Sequence, residues 1–402
     1  MRFTRPCLFG LAGIVCTVAP LACASEGDAG PEMAPDAASE SNTTTDAGGE
    51  LPDAGAETDG KADAGFEPCS ASGLCVVAAP IDTSINLVSI SGSSAADVWA
   101  VGTNRTIVHY DGSAWERHSI ADETSPPFTM RAVWVGRFDD VWIADGLSLR
   151  HSNGWKGSAT EWSTYHFYWP GTLTGNGPFG LSGRDGNVWI ARFGWLDFDP
   201  DATLIKCSGW GEDGDLVDPE LLGGSDNWDE LFGTGYGTVA TTRANEAWAT
   251  SAGTSIWSGA RVVRVFRSDA ESASWQREEF NSRTTRHLYG IWGDDDTVWL
   301  VGEGGVARRV TRAALATRTF EIVETPVTAD LRGVFGFGAD DVWAVGDEST
   351  VLHWDGKSWT KLATPFDGAR DKPRLFAVWG SSKSDVWIVG SGVVLHFERS
   401  GS

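Results

Sequence analysis

The chain is expected to fold as an all-β, seven-bladed β-propeller with four-stranded blades, the last blade closed by the N-terminal strand. Three observations predict it. Asp97-Val98-Trp99-Ala100-Val101-Gly102 recurs as Asp341–Gly346 and Asp385–Gly390, with looser copies around Trp142, Trp189, Trp248 and Trp299. Those seven tryptophans are 43, 47, 59, 51, 44 and 44 residues apart, averaging 48, the length of one propeller blade. Short apolar runs alternate with tight-turn residues such as Asp111-Gly112, Asn153-Gly154 and Asp355-Gly356, a strand-and-hairpin pattern rather than a helical one.

Residues 1–23 precede that repeat. Arg2 and Arg5 lead an apolar stretch from Cys7 to Ala19 that is followed by small residues, the layout of an export signal. Leu21-Ala22-Cys23 resembles the lipobox of bacterial lipoproteins, in which Cys23 would carry the lipid, although Pro20 stands where that motif usually has Leu. The alternative is Ala22-Cys23-Ala24 as a signal-peptidase site releasing a soluble, secreted protein.

Residues 24–66 hold 11 acids, one base (Lys61) and one aromatic (Phe66), with Asp-Ala-Gly occurring four times. Such a segment cannot bury enough apolar surface to offset chain entropy, so a disordered acidic linker is expected. Its reach as a flexible coil is roughly 35–40 Å, enough to hold a folded head clear of a membrane if Cys23 is lipidated.

The propeller is assigned to residues 67–402. Cys69 and Cys75 are close enough to form a disulfide in an oxidising compartment, and Cys207 is left as a small buried hydrophobe. The sixth unit shows the strand order best. Leu331–Phe335 is the inner strand, Asp341–Val345 the second, Thr350–Trp354 the third and Trp359–Ala363 the outer. The seventh unit stops after Val393–Phe397, and the segment from Cys75 to Pro80 matches the missing outer strand. In the degenerate third unit, Trp195–Asp199 aligns with the third strand of the first.

The D-V-W-A-V-G…H-W-D-G-x-x-W unit resembles the Trp-rich propeller repeats of secreted proteins and lipoproteins from myxobacteria-type bacteria. That resemblance covers residues 75–402 and implies a fold and a cell-surface setting, with no established activity.

A net charge of −24 excludes a phosphate-driven nucleic-acid binder. Membrane association is expected only through the lipid anchor, and the chain is expected to be a monomer. No motif for a cofactor, a metal or a catalytic triad stands out. His109, His151, His353 and His396 follow the repeat Trp by 9 or 10 residues, so they fill a structural slot. Of 21 tryptophans, 15 fit the repeat, with Trp115, Trp155, Trp275 and Trp359 at the start of outer strands; Trp162, Trp169, Trp195, Trp210, Trp228 and Trp257 do not. The stretches 162–178 and 208–231 are expected to be outer-to-inner connections emerging on one face. They would bring Trp162, Trp169, Trp210 and Trp228 together beside Asp213 and Asp215, a surface suited to an extracellular glycan or protein ligand. The competing reading is a glycoside hydrolase or lyase with channel carboxylates, for which the turn residues Arg105, Asp145, Glu303 and Asp347 are the candidates.

Overall fold

The computed structural model describes residues 68–118, 120, 128–167, 178–192, 204–222, 234–253, 261–268 and 274–399. The signal, Cys23 and the acidic linker lie outside the described residues, as do Trp169, Trp195, Trp228 and Trp257.

The described residues form seven four-stranded antiparallel sheets and one two-stranded hairpin. Each sheet is one repeat. In blade one, Leu87–Ser94, Asp97–Gly102, Ile107–Tyr110 and Trp115–His118 run from the axis outward. Blade seven consists of Leu375–Ser382, Asp385–Gly390 and Val393–Glu398, and its outer strand is Leu74–Val76. The register there is Leu74 to Phe397, Cys75 to His396 and Val76 to Leu395, so the expected N-terminal closure is present. A disulfide joins Cys69 to Cys75 beside it. The hairpin it staples folds back on the closing strand, with the Val76 N–H donating to the Pro68 carbonyl.

This strand order sends inner-to-second and third-to-outer turns to one face of the ring, here called the turn face. Second-to-third turns and blade-to-blade connections lie on the opposite, return face.

Blades adhere through aromatic wedges. At six of the seven interfaces described, an outer aromatic of one blade stands edge-on to the second-strand Trp of the blade before it. The pairs are Trp155 on Trp99, Trp210 on Trp142, Trp275 on Trp189 and Trp359 on Trp299, at 5.2–5.6 Å and 78–89°. Phe320 takes that place on Trp248 and Trp115 on Trp387, whereas Trp343 of blade six meets the third-strand Phe397 of blade seven, tilted at 53°. Edge-to-face geometry sets the positive ring edge against the negative face, adding about 1 kcal/mol per pair to the burial itself. Near the axis, rings rest on glycines. A Cβ at Gly183 would lie 2.2 Å from Trp134, and one at Gly92 would lie 2.7 Å from Trp379, so neither site admits a side chain.

Two sequence expectations are corrected. The third strand of blade three is Leu204–Cys207, not Trp195–Asp199. Trp155 does not begin the outer strand of blade two, which is Ser163–His166; it lies in the preceding turn and still reaches the wedge position on Trp99.

Candidate functional site

The tightest constellation in the repeat sits where the second strand begins. Asp140 accepts hydrogen bonds on Oδ1 from Trp142 Nε1–H (2.6 Å) and His151 Nε2 (3.0 Å). The same arrangement joins Asp97 to Trp99 and His109, and Asp341 to Trp343 and His353. Burial pushes the Asp140 carboxyl up, but the bonds from His151 and Trp142 outweigh it and hold the group below its ordinary range.

Between blades two and three this motif borders a cleft of about 660 Å³ on the turn face. Trp134, Trp210 and His151 supply its aromatic lining, with Arg137, Asp139, Asn153, Arg184, Asp185 and Ser208 among the polar groups. Trp210 lies on the hairpin formed by Gly209–Trp210 and Leu216–Val217. Its ring stacks on His151 at 5.2 Å and 14° between planes, and its Nε1 is buried without a partner. The hairpin tip carries Asp213 and Asp215, and Asp213 Oδ1 accepts the Asp215 N–H. The cations are already engaged. Arg137 pairs with Asp139 at 3.3 Å, and Arg184 reaches Asp185 at 3.9 Å and Asp295 at 3.2 Å.

The structure therefore brings Trp210, Asp213 and Asp215 onto one hairpin, but it does not gather the four expected tryptophans. The hairpin joins the third strand of blade three to its outer strand, Glu220–Leu222, and is not a blade-to-blade connection. Trp162 directly precedes the outer strand of blade two and packs one interface away, edge-on to Trp99 at 6.0 Å and beside His118. Burial holds the His118 imidazole below its usual range there.

Sequence reasoning missed the wedge role of Trp210. The signal was present. Trp210 follows the third strand by three residues, as Trp155 does after Ser152, once that strand is placed at Leu204–Cys207. It also missed Trp134 and His151 as lining residues, because both look like ordinary repeat positions.

The turn residues offered for hydrolysis have structural partners. Asp145 is buried, binds Arg150 at 3.2 Å and accepts the Ser148 N–H and O–H. Asp347 holds Arg332, Glu303 accepts the His287 N–H at 3.3 Å, and Arg105 lies over the Phe128 ring at 4.7 Å. The carboxyls displaced from their ordinary range, including Asp140, Asp347 and Glu246, are displaced downward, the wrong direction for a general acid. The cleft is equipped to hold a ligand by stacking and hydrogen bonds.

No family model matches the chain, and no curated protein matches it either. Solved structures are similar. YCF48 bound to D1 peptide aligns over 82% of this chain and 97% of its own at 16% identity, with a TM-score of 0.57. YCF48 from Cyanidioschyzon merolae covers 81% and 98% at 15% identity and 0.56. The WD40 β-propeller domain of Doa1 covers 81% and 95% at 13% identity and 0.54. At these identities the likeness is one of architecture, and it agrees with the seven sheets in assigning the chain the β-propeller fold.

Proposed function

We propose that this protein is an exported surface-binding module, lipid-anchored through Cys23, whose propeller captures a protein ligand in the cleft between blades two and three. The cleft carries the reading: the half-buried indoles of Trp134 and Trp210 and the imidazole of His151 line it together. A propeller of similar architecture bound to a peptide supports a protein ligand over a glycan. The Cys69–Cys75 disulfide suits an oxidising compartment, and the acidic segment after Cys23 suits a tether.

Asn153 is exposed on the cleft wall, so Asn153→Trp fills the cleft without entering a blade. Peptides selected from a displayed random library on the full mature chain should lose about tenfold or more in affinity for this variant, with thermal unfolding unchanged. Peptides that bind both proteins equally would place the ligand elsewhere, and capture on a glycan array alone would replace the protein ligand with a sugar. Mass spectrometry of the mature N-terminus should find a diacylglyceryl cysteine at Cys23; a free N-terminus beyond it would refute the anchor.

A further inference from the structure

Phe138 is the most solvent-exposed of the large hydrophobic side chains described, at 70%. It tips the turn between the inner and second strands of blade two, and its neighbours Arg137 and Asp139 line the cleft. The turn is seated rather than loose. The Phe138 carbonyl lies against Gly154, so close that a Cβ there would come within 2.2 Å of it. The aromatic ring is thus presented to solvent from a fixed backbone, an arrangement that costs apolar hydration in the free protein and suits an anchor residue at an interface.

The opposite bank of the cleft is the Gly209–Val217 hairpin. Val217 is 37% exposed on it, and its turn and flank carry Glu212, Asp213, Asp215 and Asp218. Asp218 accepts a bond from the Ser208 hydroxyl, but none of these four acids forms an ion pair with a described residue. Arg137 and Arg184, the cations lining the cleft between the banks, are consumed by Asp139, Asp185 and Asp295. The aromatic-lined cleft is thus flanked on one side by the turn that carries an exposed apolar knob and on the other by a hairpin whose acids have no ion-pair partner among the described residues.

We propose that this face docks a cationic protein segment, with an apolar pocket that receives Phe138 and Lys or Arg side chains that pair with the hairpin acids. This rests on the cleft being the binding site and names the chemistry of its partner. Complementary charge raises the encounter rate and makes it salt-sensitive, while a buried aromatic anchor sets the lifetime of the complex.

The test uses displayed random peptides selected at low salt on the full mature chain, followed by affinities for Phe138→Ser and for the Asp213→Asn/Asp215→Asn pair. Both changes are at exposed positions, and unchanged thermal unfolding confirms intact proteins. Enriched peptides should carry net positive charge and lose about tenfold in affinity with Phe138→Ser. Their binding should weaken steeply with salt for the native chain and much less for the double variant. Neutral or acidic peptides, or cationic ones indifferent to Phe138→Ser, would overturn the proposal. Peptides lost with Asn153→Trp yet retained by Phe138→Ser would refute this partner while leaving the cleft in place. Peptides indifferent to all three variants would refute both.

Discussion

Opposite every second-strand tryptophan stands a nitrogen base. It is His109, His151, His353 and His396 in blades one, two, six and seven, and Lys206, Arg264 and Arg309 in blades three to five. The ladder gives this residue the same neighbours each time, so what persists is a hydrogen-bond donor beside an indole. Where the donor is histidine, an aspartate two residues before the Trp receives it. In blade four Glu246 takes that place and binds Trp248 Nε1–H, Arg264, Arg312 and the Thr242 hydroxyl. Burial pushes the Glu246 carboxyl up, but Arg312, Arg264 and Thr242 bring it down to about 2. Its pKa is therefore lower folded than unfolded, and its stabilisation is complete above the ordinary glutamate range and lost as pH falls toward 2. Glu246→Gln should cost about 3 kcal/mol at neutral pH, since two guanidinium groups lose their counter-charge and one of its two acceptor oxygens, and should flatten the acid limb of stability against pH. Urea titrations across that range measure both. An unchanged limb would show that other carboxylates dominate acid unfolding. Asp97 follows the same sign: burial opposes its charge, and bonds from His109, Ser93 and Trp99 hold it low. Asp97→Asn should cost about 1–3 kcal/mol, read from the same titrations.

At the scale of strands, the second strands were the legible ones. Each is apolar on both faces and nearly all buried, as Asp97–Gly102 and Asp341–Gly346 are, so its composition is dictated by burial alone. Outer strands are short and half-exposed, as Ser163–His166 and Glu321–Val323 are, and leave little pattern to read. The third blade misled for a different reason. Trp195–Asp199 imitates a third strand, whereas the real one, Leu204–Cys207, lacks the usual histidine and turn motif. That displacement concealed the wedge role of Trp210, and with it the cleft. Phe138 was illegible because an exposed phenylalanine in a turn follows no period. The closing strand carries its own expectation. Its disulfide closes a loop of seven residues, so replacing Cys69 and Cys75 by Ser should lower stability by roughly 2 kcal/mol in the chain-entropy account. Hydrogen exchange should rise first in Val393–Glu398, the strand it covers. Exchange raised equally in every blade would mean that the ring opens as one unit.

Over the whole ring, strength depends on neighbours rather than on a central core. Among the described residues, seven separate hydrophobic clusters lie between adjacent sheets, such as the one joining Trp99 and Val101 of blade one to Met130, Val133 and Ile143 of blade two. Each blade is thus half of two interfaces, and a defect in one is shared with the next. The interface between blades seven and one is bounded by chain segments from opposite ends of the sequence, because Leu74–Val76 supplies the last strand. The final blade cannot be completed until both ends are present.

That seam also determines how the molecule would bear a pull. Tension arriving from residues N-terminal to Cys69 crosses the sulfur bridge directly to Cys75, in the middle of the closing strand, and bypasses residues 70–74. The antiparallel pairing of Leu74–Val76 with Leu395–Phe397 then carries it, with Leu74 locked in the interior. Cutting the bridge would reroute the load through the loop and peel the strand from its first residue. A head held at its N-terminus would thus have its mechanical fuse at the place where the ring is fastened.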